Sequence, residues 1–271
     1  MNPRLSIAFK LVGYLLVAGI VPLLIFGISA FQIARGIVIT QAREYDLRLA
    51  SNAATYVQFY RRQVEDLAAN IAGNESLAQA LNEADQQSAS SYETLNTKAQ
   101  IGYILNNFGR LDGLVSLDLF TNKGKHFHVG ETLDASDVGL ETVQQFLQAS
   151  EASTSRAFWR GVEDNINRTS AQTKVITVTR VIRQDAPKTA TNPTVGLLVI
   201  NLNDRIFRNY FSNQLGQQDV RMMVIDRHGK LMHHSDRALI GQPVAPELLN
   251  FIRDGSPTHQ VRLDGADEII L

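Results

Sequence analysis

From Leu11 to Ala34 the chain carries no charged residue. That is about 24 residues, against roughly 20 needed to cross the hydrocarbon core of a bilayer as a helix. Downstream the composition changes but the spacing stays helical. Leu49, Ala53, Tyr56, Tyr60, Val64, Leu67 and Ile71 recur at steps of three and four and form one apolar stripe. Arg48, Asn52, Gln58, Arg61, Arg62, Gln63, Glu65 and Asp66 lie between them as a solvated face. The pattern predicts one long helix from Leu11 to about Ile71, an apolar anchor continued by an amphipathic stalk. Gly73-Asn74 is its expected stop.

Beyond the stop, Glu75 to Ala84 resumes helical spacing through Leu77, Ala80, Leu81 and Ala84. After the polar stretch Asp85–Ser91, Tyr92 to Phe108 reads as a second amphipathic helix, with Leu95, Ala99, Tyr103 and Leu105 as its apolar side. Then the period switches to two. Leu114 to Phe120 is an expected strand, Thr121-Asn122-Lys123-Gly124 a turn, and Lys125 to Val129 the return strand. Leu140 to Ala149 reads as a helix and Ala157-Phe158-Trp159 as a short aromatic strand. Lys174 to Ile182 alternates and is rich in β-branched residues, so it is an expected strand. Val195 to Leu202 is a near-continuous apolar run, expected at the centre of a sheet and covered on both faces. Asp204 to Phe211 reads as a helix with Asn203 or Asp204 as its N-cap. A further hairpin follows at Val220–His233, then a short helix from Pro246 to Ile252 and a last hairpin around Asp264-Gly265. The chain stops at Leu271 inside an expected strand, from which a longer protein is expected.

Composition narrows the functional classes. The formal net charge is −1 in 271 residues, so no basic surface points to nucleic acid. There is no cysteine, which excludes disulfides and thiolate metal sites. The apolar start exceeds the about 7–15 residues of a signal-peptide core. Ile28-Ser29-Ala30 also lacks a small residue at the first key position of a cleavage site. An uncleaved anchor is therefore expected, and Pro22 and Gly27 are tolerable within a membrane helix. Arg4 and Lys10 precede the span with no acid among them, which places the short tail inside and the main domain outside.

The two hairpins repeat. Leu119-Phe120-Thr121-Asn122-Lys123-Gly124-Lys125 lines up with Val224-Ile225-Asp226-Arg227-His228-Gly229-Lys230, about 105 residues on. With Val195-Gly196-Leu197-Leu198-Val199-Ile200-Asn201-Leu202 and Asp236-Arg237-Ala238-Leu239-Ile240-Gly241-Gln242-Pro243, these segments carry a resemblance. The chain resembles the extracytoplasmic sensor region of a bacterial transmembrane receptor with a double Cache domain. The resemblance extends over nearly the whole chain and implies an α+β fold, two PAS-like antiparallel-sheet modules packed along one long helix. The implied divisions are a cytoplasmic tail at 1–10, a membrane helix at 11–34 and an emergent helix at 35–72. A distal module at 73–212 and a truncated proximal one at 213–271 follow. The resemblance further implies an inner-membrane homodimer that binds a small organic ligand. It also implies a second membrane helix and a cytoplasmic output domain, a histidine kinase first, then a diguanylate cyclase or a chemotaxis module. A membrane-anchored periplasmic binding or scaffold protein without output is the alternative.

Candidate chemistry is sparse. No G-x-S-x-G, G-x-x-x-x-G-K-[ST], H-E-x-x-H or G-x-G-x-x-G occurs, so neither catalysis nor a cofactor is expected in this chain. His126 and His128 stand two apart on a strand and face one way. They are either the start of a metal site or part of a solvated face, and no metal is assigned to them. His233 and His234 face opposite ways. The segment Arg156-Ala157-Phe158-Trp159-Arg160 combines two guanidinium groups with aromatic walls, a set suited to a carboxylate ligand. Phe158 and Trp159 as plain core beside solvated arginines is the competing reading. The amino-acid-binding subgroup of the resembled family carries Arg, a spacer, then Trp-Tyr. Arg156, Phe158 and Trp159 imitate that spacing, whereas Glu151 stands where the subgroup has Tyr. Thr177 and Thr179 share one face of the strand expected beside this segment, and complete the candidate site of Arg156, Phe158, Trp159, Arg160, Thr177 and Thr179. Asp226 reads as a turn former. Arg61-Arg62 lie roughly 40 Å along the helix from Ala34, too far to touch lipid headgroups.

Overall fold

The helix α1 (Ile7–Ala72) runs unbroken for 66 residues in the computed structural model. The structure describes residues 7–86, 91–132, 137–153, 155, 157–184, 193–215, 223–253, 259–263 and 266–270. Every described side chain of α1 from Phe9 to Tyr45 is exposed. One 18-residue window reaches a mean hydropathy of 2.5 with none of it buried, so α1 is long and apolar enough to cross a membrane. Each large apolar side chain left in water costs about 1.5–3 kcal/mol. From Leu11 to Ile33 those costs sum to tens of kcal/mol, which an apolar solvent removes. The stripe farther along is buried at Leu49, Ala53, Tyr60, Val64, Ala68 and Ile71, while Tyr56 and Leu67 are half-buried.

α2 (Glu75–Gln86) and α3 (Ser91–Asn106) follow. α2 buries Leu77, Ala80, Leu81 and Ala84 as its spacing predicts. α3 is rotated from expectation. It buries Leu105 as expected, but with Thr97 and Ile101 in place of Leu95, Ala99 and Tyr103, which are exposed, because residues at four-residue spacing through Leu105 face the sheet.

The main sheet holds β1 (Leu114–Thr121), β2 (His126–Gly130), β3 (Phe158–Asp164), β4 (Lys174–Arg183) and β5 (Thr194–Leu202) in the order β2-β1-β5-β4-β3, all antiparallel. β5 is central, which explains its continuous apolar run. Leu198, Ile200 and Leu202 face α1 and α2, whereas Leu197 and Val199 face α4 (Leu140–Glu151) on the other side. The register places Leu117, Ile200 and Val178 in one row of the helix-facing core. Another row, Ser116, Asn201 and Thr177, faces α4.

α5 (Arg205–Leu215) leads from β5 toward a second, small hairpin. Asn203 accepts the Arg205 amide through its side chain at 3.0 Å and caps α5. β6 (Val224–Ile225) and β7 (Leu231–His233) form that hairpin, backed by a small core of Leu231, Val244 and Leu248 with α6 (Pro246–Arg253). β8 (His259–Leu263) and β9 (Ala266–Ile270) pair as a third antiparallel unit.

Candidate functional site

The face of the main sheet beneath α4 is part apolar and part polar. Phe120, Leu197 and Val199 pack with Val143 and Phe146 of α4. Beside them lie Ser116, Asp118, Thr177, Thr179 and Asn201, all buried. Buried polar groups need partners, and the register supplies them. The Thr177 hydroxyl donates to Asn201 Oδ1 at 3.1 Å. The Asn201 amide donates to Ser116 Oγ at 3.0 Å and to Asp118 Oδ2 at 3.3 Å. Ser116 Oγ donates to the same Asp118 oxygen at 2.6 Å. One line of hydrogen bonds thus crosses β4, β5 and β1.

It continues onto β2, where His128 stands directly opposite Asp118. His126 Nε2 and His128 Nδ1 both lie against Asp118 Oδ1, at 2.8 and 2.7 Å. The other His128 nitrogen meets the Thr132 carbonyl at 2.9 Å. Burial alone would raise the Asp118 carboxyl. Hydrogen bonds from His126, His128 and Ser116, with the charge on His128, outweigh burial and hold it below the usual carboxylate range. Burial alone would lower His128, but the Asp118 hydrogen bond and charge and the Thr132 carbonyl raise it. His126 and His128 therefore do not lie on a solvated strand face. They flank a fully buried carboxylate.

The candidate residues of β3 are divided between two faces. Trp159 pairs with Val178 and packs into the core beside α1, where its Nε1–H donates to Glu65 Oε1 at 3.1 Å. The register shifts between Trp159 and Gly161, and Gly161 takes φ +90°. Such a bulge re-aims the side chain at its centre. Arg160 accordingly turns to the α4 side and lays its guanidinium over the Phe146 ring, 4.2 Å from the centroid. One Arg160 nitrogen reaches Glu163 at 3.2 Å. Its Nε is buried without a hydrogen-bond partner, as is Asp85 Oδ1, among the described residues.

Thr177 and Thr179 also face α4. Thr179 shares a 2.6 Å hydrogen bond with Ser150 of α4. The structure thus brings Arg160, Thr177 and Thr179 to one face and Trp159 to the other. Phe158 has the Arg227 guanidinium 4.8 Å from its ring centroid. Arg156 lies outside the described residues. Sequence reasoning missed Ser116, Asp118, Ser150 and Asn201. The available signal was an aspartate at the alternate positions of an otherwise apolar strand, with two histidines at the same period on the next one.

A cavity of about 320 Å³ opens elsewhere, between the end of the sheet and the second hairpin. Gln172, Lys174, Asn203, Asp204, Arg237 and Ile240 help line it. Lys174 is already paired with Asp164 at 2.6 Å, and Arg237 lies 4.0 Å from Asp204. Lys174 and Arg237 thus pair with acids of the chain, as Arg160 pairs with Glu163; Arg160 differs in that one of its nitrogens, Nε, is buried without a hydrogen-bond partner.

No protein-family model matches the chain, and no curated protein does. Solved structures match in fold. The ligand-binding domain of the Pseudomonas aeruginosa PAO1 amino acid chemoreceptor PctB, in complex with L-Arg, aligns at 17% identity over 80% of this chain and 75% of that one, with a TM-score of 0.50. The periplasmic sensory domain of the Campylobacter jejuni chemoreceptor Tlp1 aligns at 15% identity over 78% of this chain and 85% of that one, with a TM-score of 0.49. The ligand-binding domain of Campylobacter jejuni Tlp3 with L-valine gives 14%, 80%, 89% and 0.45 in the same order. At such identities a likeness establishes fold alone, and of these three the PctB domain carries it. The chain thus shares the α+β fold of that chemoreceptor ligand-binding domain, an α+β fold being what the sequence resemblance implies.

Proposed function

We propose that this chain is the ligand-sensing, extracytoplasmic region of a membrane-anchored bacterial receptor, with a small organic ligand bound between α4 and the main sheet. The observation that carries the proposal is Arg160. Its guanidinium lies over the Phe146 ring, bound at one nitrogen to Glu163 and with Nε unpartnered, on the same sheet face as a buried row of hydrogen-bonding side chains. An arginine fixed in this way is prepared to accept a carboxylate. Thr177 and Thr179 lie on that face, and Arg156 and Phe158 belong to the same segment of chain.

Ligand recognition and signalling meet at β3. Trp159 bonds to the stalk helix through Glu65, and Val162 donates its amide to Asp226 of the second hairpin at 3.1 Å. A ligand that binds one arrangement of β3 more tightly than another shifts their populations, and α1 is bonded to whichever arrangement results. In the full proposal the main sheet belongs to a distal module over 73–212 and the second hairpin to a proximal one over 213–271, a double Cache arrangement. The chain works as an inner-membrane homodimer with its tail inside. Its output is a cytoplasmic histidine kinase, a choice that rests on the resemblance alone. A periplasmic binding or scaffold protein without output would use the same residues and differs only in lacking the cytoplasmic domain.

The test uses the full chain in detergent micelles. Amino acids and small carboxylates are screened by thermal shift, since a ligand that binds the native state raises the midpoint. Amino acids come first because the PctB domain was solved with L-Arg. The expected result is a hit whose shift disappears in Arg160→Gln. A shift that survives Arg160→Gln places the ligand elsewhere.

A further inference from the structure

Asp118 is fully buried, and among the described residues its partners are His126, His128, Ser116 and Asn201, with no lysine or arginine. A carboxylate without solvent needs a compensating cation. The geometry around it decides where that cation sits. His128 Nε2 faces the Thr132 carbonyl at 2.9 Å, and a carbonyl only accepts, so Nε2 carries a hydrogen. In the neutral ring Nδ1 is then a bare lone pair. It points at Asp118 Oδ1 from 2.7 Å, a second lone pair. Two lone pairs at that distance repel unless a positive centre lies between them. His126 Nε2 converges on the same oxygen at 2.8 Å. The ligand atoms of the three residues all lie within 4.8 Å of one another.

The outer contacts have the form that metal sites require. Ligating histidines donate their second N–H to a carbonyl or carboxylate, and ligating carboxylates are themselves hydrogen-bonded. His128 does the first through Thr132. Asp118 does the second, since Ser116 and Asn201 hold Oδ2 and leave Oδ1 to the two imidazoles. The His126 ring is oriented by stacking on Phe120, with centroids 4.5 Å apart and an interplanar angle of 3°. Ligand bonds of about 2.0–2.2 Å in tetrahedral geometry set ligand atoms roughly 3.3 Å apart. The observed separations of 2.7 and 2.8 Å open to that value by about half an ångström. β2 is an edge strand, paired on one side only, so it has room to move.

We propose that Asp118, His126 and His128 bind one divalent transition-metal ion of the zinc class, with a coordination position left for an exogenous ligand. Two imidazoles and one carboxylate suit zinc, nickel or cobalt rather than calcium or magnesium, which prefer all-oxygen shells. Three protein ligands leave a tetrahedral ion one open site. It stands independently of the organic-ligand proposal, because the metal is read directly.

The test uses the tag-free full chain in detergent, stripped of metal and titrated with Zn²⁺ by calorimetry and with Co²⁺ by visible absorption. One equivalent per chain is expected, with Co²⁺ showing the d–d bands of a low-coordinate site. His126→Ala and Asp118→Asn should each weaken binding at least tenfold, and Ser116→Ala should weaken it by about 10–100-fold as an outer contact. His126 is partly exposed, so its variant retains the fold even where Asp118→Asn does not. His234→Ala, at a half-buried histidine outside the cluster, should change nothing. Failure to take up Zn²⁺ at micromolar concentration overturns the proposal and leaves a proton as the positive centre. Uptake that persists unchanged in His126→Ala also overturns it.

Discussion

The Asp226 carboxylate occupies the space that a β-carbon on Gly161 would need. Asp226 belongs to the turn of the second hairpin. Its Oδ1 accepts the His228 and Lys230 amides at 2.8 and 2.9 Å, which confirms the turn-forming role expected of it. Its Oδ2 does something the sequence does not show, accepting the Val162 amide across to β3. Gly161 sits at φ +90°, a conformation that side chains disfavour, so two constraints coincide there.

Gly161→Ala should therefore be destabilising by about 2–4 kcal/mol, combining backbone strain with a clash. Asp226→Ala removes the clash but not the strain. The double variant should be more stable than the sum of the two single effects, because the residues are in contact. Urea unfolding of the four proteins measures this. Strict additivity would mean that the two residues do not share the space between them.

Trp159 is the chain's only tryptophan, which makes it a reporter on the bond between β3 and α1. Glu65→Gln should shift its fluorescence emission and cost about 0.5–1.5 kcal/mol, the usual net worth of one hydrogen bond. Because Trp159 faces away from α4, Trp159→Phe should leave ligand affinity within about threefold of the parent, whereas Arg160→Gln should abolish binding. If Trp159→Phe alone removed binding, the ligand would lie on the α1 side of the sheet.

Much of this was legible before the fold was known. The uncharged run to Ala34, the stalk stripe from Leu49 to Ile71 and the central strand from Val195 each follow from local periodicity, and each has the expected form. The site was legible only in part. Trp159 and Arg160 are adjacent on a strand and so must face opposite ways, but the bulge that sets Arg160 and Gly161 on one face depends on pairing with β4. Ser116 and Asp118 alternate with Leu117 and Leu119 as residues of a half-solvated strand do. That both are nonetheless buried is a fact of tertiary packing, about which β1 alone says nothing. On α3, Leu95, Ala99 and Tyr103 compete with Thr97, Ile101 and Leu105 at the same spacing, and only the neighbouring sheet decides between them.

The buried hydrogen-bond row gives a separate prediction. Thr177→Val is nearly isosteric but removes the donor to Asn201 Oδ1. An acceptor left buried without a partner costs about 1–3 kcal/mol. Asn201→Leu removes bonds to Ser116 and Asp118 as well, and should cost more than Thr177→Val. Chemical denaturation distinguishes the two. Equal losses would mean that water or a rearranged Ser116 takes over the missing contacts.

Asp204 governs the pH dependence of the junction between α5 and the second hairpin. Its buried carboxylate meets His233 Nδ1 at 3.3 Å, Arg208 at 3.5 Å and Arg237 at 4.0 Å. Burial alone would raise its pKa. The His233 hydrogen bond and the charges of Arg208, His233 and Arg237 outweigh burial and hold it below the usual carboxylate range. A carboxyl whose folded pKa lies below its unfolded value, near about 3.9, contributes its full stability above the unfolded value. That stability is lost as pH falls through the folded pKa. Asp204→Asn should therefore be less stable than the parent by about 1–3 kcal/mol at pH 7, with the two converging below roughly pH 4. Urea midpoints measured from pH 7 down to acid test this. A difference that stays constant throughout would show that the shape of the side chain, and not its charge, holds the junction.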